Sequence, residues 1–143
     1  MWKILLILVL LIGGCSAELP TSSVPATDRS PAPCSTGVVK PINVSLAALL
    51  ADPEHYEGRS VAVIGFMHRS FEHSAIYLHR EDYLQTITPN GLWVSGANIP
   101  EALNDRYVRL EGIFTATETG HFNQWSGTLC GIGLATPWGR DVP

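Results

Sequence analysis

The chain has 143 residues and a formal charge of −4, with nine Lys and Arg against 13 Asp and Glu. That length suits one domain with extensions. Five of its seven arginines (Arg59, Arg69, Arg80, Arg106 and Arg109) stand singly among carboxylates and Lys and Arg form no run, so no basic stripe is available for phosphates and nucleic acid is not an expected partner.

The first element is a targeting segment. Lys3 is the only charge before Glu18, the run Ile4 to Ile12 is apolar, and Gly13-Gly14-Cys15 closes it. A basic start, a short apolar core and small residues at the end make a signal peptide over residues 1–14. A spanning helix needs about 20 apolar residues, roughly twice this run. Leu11-Ile12-Gly13-Gly14-Cys15 resembles the lipobox of bacterial lipoproteins. The resemblance implies that the Cys15 thiol receives a diacylglyceryl group before the preceding peptide bond is cut. Two or three acyl chains, palmitate among them, then hold the chain on a membrane where one would not. The alternatives are an ordinary signal peptide with a chance cysteine, or cleavage after Ala17. Ser16 stands where Asp favours inner-membrane retention in the Gram-negative pattern, which points to the outer membrane, facing the periplasm.

Residues 15–37 are rich in Pro, Ser, Thr and Ala and carry no apolar periodicity. Such a segment buries too little surface to offset its ordering entropy, and its prolines keep it extended. It is expected to be a lipid-anchored flexible tether. Cys34 near its end and Cys130 far downstream are the two remaining cysteines. In an oxidising envelope such a pair suggests a disulfide. The alternative is two free thiols, with Cys130 a small buried hydrophobe.

The domain is expected over residues 38–143. Val44 to Ala51 reads as a short helix, with Ser45 as N-cap, Leu46, Leu49 and Leu50 on one face, and Pro53 and Gly58 closing it. Arg59 to Arg69 is the first strand, with Gly65 marking a bend or close backbone approach. Ser74 to Arg80 is the second strand, and Glu81 to Ile87 a helical turn. Pro89-Asn90-Gly91 is a turn, and Leu92 to Ser95 a short third strand whose Trp93 reads as core. Pro100 to Asn104 is a further helical turn. Arg106 to Ala116 is the fourth strand, with Val108 and Leu110 inward and Arg109 and Glu111 outward. Gly127 to Thr136 is the fifth.

This order, with a glycine inside the first and fourth strands, resembles an OB-fold: mainly β, a small five-stranded Greek-key barrel with one or two short helices. The pattern Tyr56-Glu57-Gly58-Arg59-Ser60-Val61-Ala62-Val63-Ile64-Gly65, with Gly120-His121 and Ser126-Gly127 later, also looks like that of small uncharacterised bacterial envelope proteins. An open β-sandwich is the rival architecture.

Catalytic signatures are missing. The chain has no Gly-x-Ser-x-Gly, His-Glu-x-x-His, Cys-x-x-Cys or phosphate-loop pattern, and no cofactor is implied. His68, His73 and His79 lie near Glu72, Glu81 and Asp82 but without compact metal-ligand spacing, so no metal site is assigned. The most distinctive loop is Gly120 to Gly127, in which His121, Phe122, Asn123, Gln124 and Trp125 are the candidate binding rim for an envelope protein or glycan. The expectation is a membrane-anchored, non-enzymatic binding or accessory module. The alternative is a small histidine- or metal-dependent envelope enzyme using His121 or the three earlier histidines.

Overall fold

The computed structural model describes Cys34, residues 39–96 and residues 99–139. The signal peptide, Cys15 and the 15–37 tether apart from Cys34 lie outside the described residues. Six strands run in chain order: β1 (Ile42–Asn43), β2 (Ser60–Ser70), β3 (His73–Tyr77), β4 (Gly91–Val94), β5 (Arg106–Thr115) and β6 (Thr128–Pro137). Strands β2, β3 and β4 pair in antiparallel sequence, β4 pairs parallel to β6, and β6 pairs antiparallel to β5. Pairing of β5 back onto β2 closes the ring. The domain is therefore a mainly β, five-stranded barrel of OB topology, and the five strands of the ring are those expected from the sequence.

Closure depends on β2 serving two neighbours. Its residues Ser60 to Met67 pair with β5, and Phe66 to Ser70 pair with β3. Gly65 sits where the partners change. A Cβ there would lie 2.4 Å from the Tyr77 carbonyl oxygen, so the crossing requires a residue without a side chain. Gly112 makes the same close approach to the Cys130 carbonyl, beside a register irregularity between Glu111 and Ile113. This is the physical content of the two strand glycines in the sequence.

Alternate residues point inward and fill the barrel: Val61, Val63 and Met67 of β2, Ile76 of β3, Leu92 and Val94 of β4, Val108, Leu110 and Phe114 of β5, and Leu129 of β6. Arg109 and Glu111 sit between the inward residues of β5 and are partly exposed. Helix α1 (Leu46–Ala51) buries Leu46 and Leu49 against this core, and the Ser45 hydroxyl accepts from the Ala48 amide at 3.1 Å as its N-cap.

Three local features differ from these expectations. Pro53 does not merely close α1: it occupies the first turn of a second short helix, α2 (Pro53–Tyr56), where its missing N–H costs nothing. Strand β1, which pairs in parallel with Val61 and Ala62, was not expected, because two exposed residues carry no alternation to read. Helix α3 (Arg80–Leu84) replaces the end of the second expected strand. Its Asp82 is buried yet satisfied, accepting from the His79 amide at 2.9 Å and the Asn90 side-chain amide at 2.8 Å. Asp82 is thus a structural cap.

Cys34 and Cys130 are joined by a disulfide, which ties the chain ahead of the barrel to β6. No helix among the described residues is long and apolar enough to cross a membrane.

Candidate binding site

The residues between the inward ones on β2, β3 and β4 face away from the core, and they are mostly aromatic. Phe66 and His68 come from β2, His73, Ala75 and Tyr77 from β3, and Trp93 from β4. Strand register brings them together: Phe66 stands opposite Tyr77, His68 opposite Ala75, and Ala75 opposite Trp93. Tyr83 of α3 and Trp125 of the β5–β6 connection fold over this face to form a second apolar cluster with Ala75 and Tyr77.

The rings interlock. Tyr83 stacks on His68 with centroids 4.0 Å apart and on Phe66 at 5.8 Å. His73 meets His68 edge-on at 5.0 Å and Trp125 at 5.5 Å, and Trp125 lies 4.9 Å from Trp93. Such offset and edge-to-face pairs add to the stability of buried area alone.

A hydrogen-bond chain fixes the polar atoms. The Trp125 Nε1–H can only donate, and it does so to the Tyr77 hydroxyl at 3.3 Å. The Tyr77 hydroxyl is then free to donate to Nε2 of His73, 3.0 Å away. Donation in that direction matches a neutral His73 ring that carries its proton on Nδ1. Burial lowers its pKa below the ordinary 6.5, and the neighbouring His68 lowers it further. Burial raises the Tyr77 phenol, against a smaller lowering from the Trp125 bond, so it stays protonated at neutral pH.

A pH dependence follows from His73. Its unfolded form takes up a proton at higher pH than its folded form does. Stability is complete above about pH 6.5 and declines as pH falls through 6.5 toward the lower folded value. We expect Tm to be lower at pH 5 than at pH 7.5, and a His73→Gln variant to lose part of that difference. A variant whose Tm changes with pH as steeply as the parent's would show that His73 is not the group responsible.

His68 holds Asp105 at 2.7 Å through Nδ1, an arrangement that orients the ring. His55, His68 and His73 bond to Arg59, Asp105 and Tyr77, and none of these partners is a Ser, Thr or Cys nucleophile. Among the described residues no group of three His, Cys, Asp or Glu side chains converges as metal ligands. His79 stands apart from His68 and His73, at the start of α3.

The loop residues singled out in the sequence divide into two sets. His121, Phe122, Asn123 and Gln124 reach the surface, and Phe122 is 77% exposed. Trp125 does not share that rim: it is 5% exposed, turned inward because its N–H finds the Tyr77 oxygen. Trp93 departs from its expected core position, lying partly exposed on the outer face. Phe71, at the tip of the β2–β3 hairpin, is 91% exposed. Glu72 beside it approaches Nε2 of His121 to 3.9 Å, so the hairpin tip and the β5–β6 connection meet at one end of the aromatic face.

Backbone strain gathers there too. Of the five described non-glycine residues with φ between 54° and 56°, in the left-handed region, Glu72, Phe122 and Asn123 lie there, Asp105 is bonded to His68, and Thr86 follows α3. Side chains with a Cβ reach that region only at a cost, and such residues cluster at functional sites. Sequence reasoning missed Phe66, Phe71, Tyr77, Tyr83 and Asp105. The alternation Phe66-x-His68 and His73-x-Ala75-x-Tyr77 was the available signal.

No family model matches the chain, and no curated protein or solved structure matches it.

Proposed function

We propose that this chain is a bacterial envelope lipoprotein, anchored through lipid on Cys15 and facing the periplasm, whose barrel is a non-enzymatic binding module for a glycan or protein partner. The lipobox-like Leu11-Ile12-Gly13-Gly14-Cys15 and the Pro- and Ser-rich segment behind it support the anchor. The observation that carries the binding role is the aromatic face of β2, β3 and β4 with Phe71 and Phe122 exposed at its end. In OB-folds the second and third strands of the barrel, with the first and fourth loops, carry ligands. Here those elements are β3 and β4, the Phe71–Glu72 tip and the His121–Gln124 loop. Two large apolar side chains held in water on strained, adjoining loops serve contact better than stability.

The test is in-cell crosslinking of the full chain, followed by purification and mass spectrometry, with a Phe71→Ala/Phe122→Ala double variant and a Cys15→Ala variant. Both phenylalanines are exposed, so their removal leaves the core intact, whereas truncating Trp125 would disturb it. We expect one reproducible adduct that the double variant loses while remaining in the membrane fraction, and we expect the Cys15→Ala chain to leave that fraction. Identical adducts from parent and double variant would remove the binding role. A Cys15→Ala chain that stays with the membrane would remove the anchor.

A further inference from the structure

The ring has a second outer side, formed by β2, β5 and β6. The residues between the inward ones line up across it in rows. Ile113 stands between Ser60 and Cys130, Glu111 between Ala62 and Leu134, and Arg109 between Ile64 and Thr136. The Trp138 amide donates to the Tyr107 carbonyl and adds a last row. Ile64, Tyr107, Leu134 and Trp138 are all exposed there, Trp138 at 53%. Single exposed apolar residues need no explanation, but a contiguous set marks a contact surface.

Two open troughs cross this side. One, of about 580 Å³, is lined by Val44, Ile64, Leu78 and Trp138 with Arg109. The other, of about 440 Å³, is lined by Ile42 and Ile113 with Lys40 and Arg59. Arg109 bonds to Glu111 and to Asn43. The charged residues of the rows and troughs are thus Lys40, Arg59, Arg109 and Glu111, a positive balance on a chain whose formal charge is −4. Cys130 stands in the first row, and its bridge brings the Cys34 backbone against Gly131. The chain that leads from Cys15 therefore joins the barrel on this side.

Resting on the lipid anchor proposed for Cys15, we propose that this face lies on the phospholipid surface that holds the anchor. A bilayer interface takes up indole and phenol rings at headgroup depth, with apolar side chains beside them. Lys and Arg lay their apolar stems on such a surface and carry their charges to the phosphates. Cys34 is 19 positions after Cys15, a reach of at most about 65 Å. That confinement keeps the effective concentration of lipid high, so a contact too weak to hold a free protein suffices. In the ring order β2-β3-β4-β6-β5, strands β3 and β4 lie across from β5. Docking through β5 and β6 therefore turns the aromatic face of β3 and β4 away from the bilayer.

The measurement is tryptophan fluorescence of the mature lipidated chain in vesicles of phosphatidylethanolamine and phosphatidylglycerol, with plain or with brominated acyl chains. Bromine quenches an indole that enters the lipid. Removal of the signal peptide leaves Trp93, Trp125 and Trp138, of which Trp138 is the one on the proposed face. We expect the parent to lose emission on brominated vesicles and a Trp138→Phe variant to emit equally on both. An Ile64→Glu/Leu134→Glu variant, changed at two exposed positions, loses the difference as well while still floating with the vesicles. Flotation of the same samples reads the anchor separately. A parent that floats without being quenched overturns the docking and leaves the anchor standing. Quenching that survives in Trp138→Phe also overturns it, because the lipid then meets the aromatic side. Crosslinks between copies through this face, without quenching, assign it to a second copy instead. A parent that does not float removes the anchor, and the docking with it.

Discussion

Replacing Cys34 and Cys130 together by alanine is expected to lower the unfolding free energy by about 4–5 kcal/mol. The two cysteines are 96 residues apart in sequence. On the chain-entropy account, a cross-link closing a loop of about 100 residues takes about 4.7 kcal/mol of conformational freedom from the unfolded chain. The loop holds nearly the whole barrel, from before β1 to the third residue of β6. Urea unfolding of the oxidised parent against the double variant measures the difference, and reduction of the parent should reproduce most of it. A loss below about 1 kcal/mol would mean that the unfolded chain is already compact around these residues or that the bridge does not form.

Phe114→Ala should cost about 3–5 kcal/mol, the usual range for emptying a buried aromatic site. Phe114 is fully buried in the core, and two other segments converge on it. Its carbonyl accepts from the Gly58 amide at 2.9 Å, its amide donates to the Arg59 carbonyl at 3.0 Å, and its ring lies against Gly127 so closely that a Cβ there would come within 2.7 Å. The barrel cannot collapse onto the vacated space without moving the return of the chain into β6. Ile113→Ala, one residue away and partly exposed on the other face, is the control and should cost clearly less. Equal losses at the two positions would mean that the alternation of inward and outward residues along β5 does not govern its packing.

The barrel was legible because its strands obey a period of two and its crossings need glycine. Val61, Val63, Val108 and Leu110 alternate with polar or small residues, and Gly65 and Gly112 mark close contacts that any side chain would block. The aromatic face was not legible in the same way. Its members come from β2, β3, β4, α3 and a loop, and only the strand register brings Phe66 opposite Tyr77 or Ala75 opposite Trp93. Read singly, each is one aromatic or histidine in a strand. Loop composition identified His121 to Trp125 as unusual but held nothing about orientation. The direction of Trp125 is decided by an acceptor 48 positions earlier in the chain, the hydroxyl of Tyr77.

The Cys34–Cys130 bond also sets how the domain bears mechanical load. In the proposed anchored state, a pull on the lipid travels along the chain to Cys34 and crosses the covalent bridge into β6. It bypasses β1, whose two residues would peel readily from β2. Near its point of entry, β6 is hydrogen-bonded to β4 on one side and β5 on the other. Displacing it by tension would mean shearing two ladders at once. The short route from membrane to barrel is therefore also the strong one, and the aromatic face on β2, β3 and β4 keeps its geometry while the leash is taut.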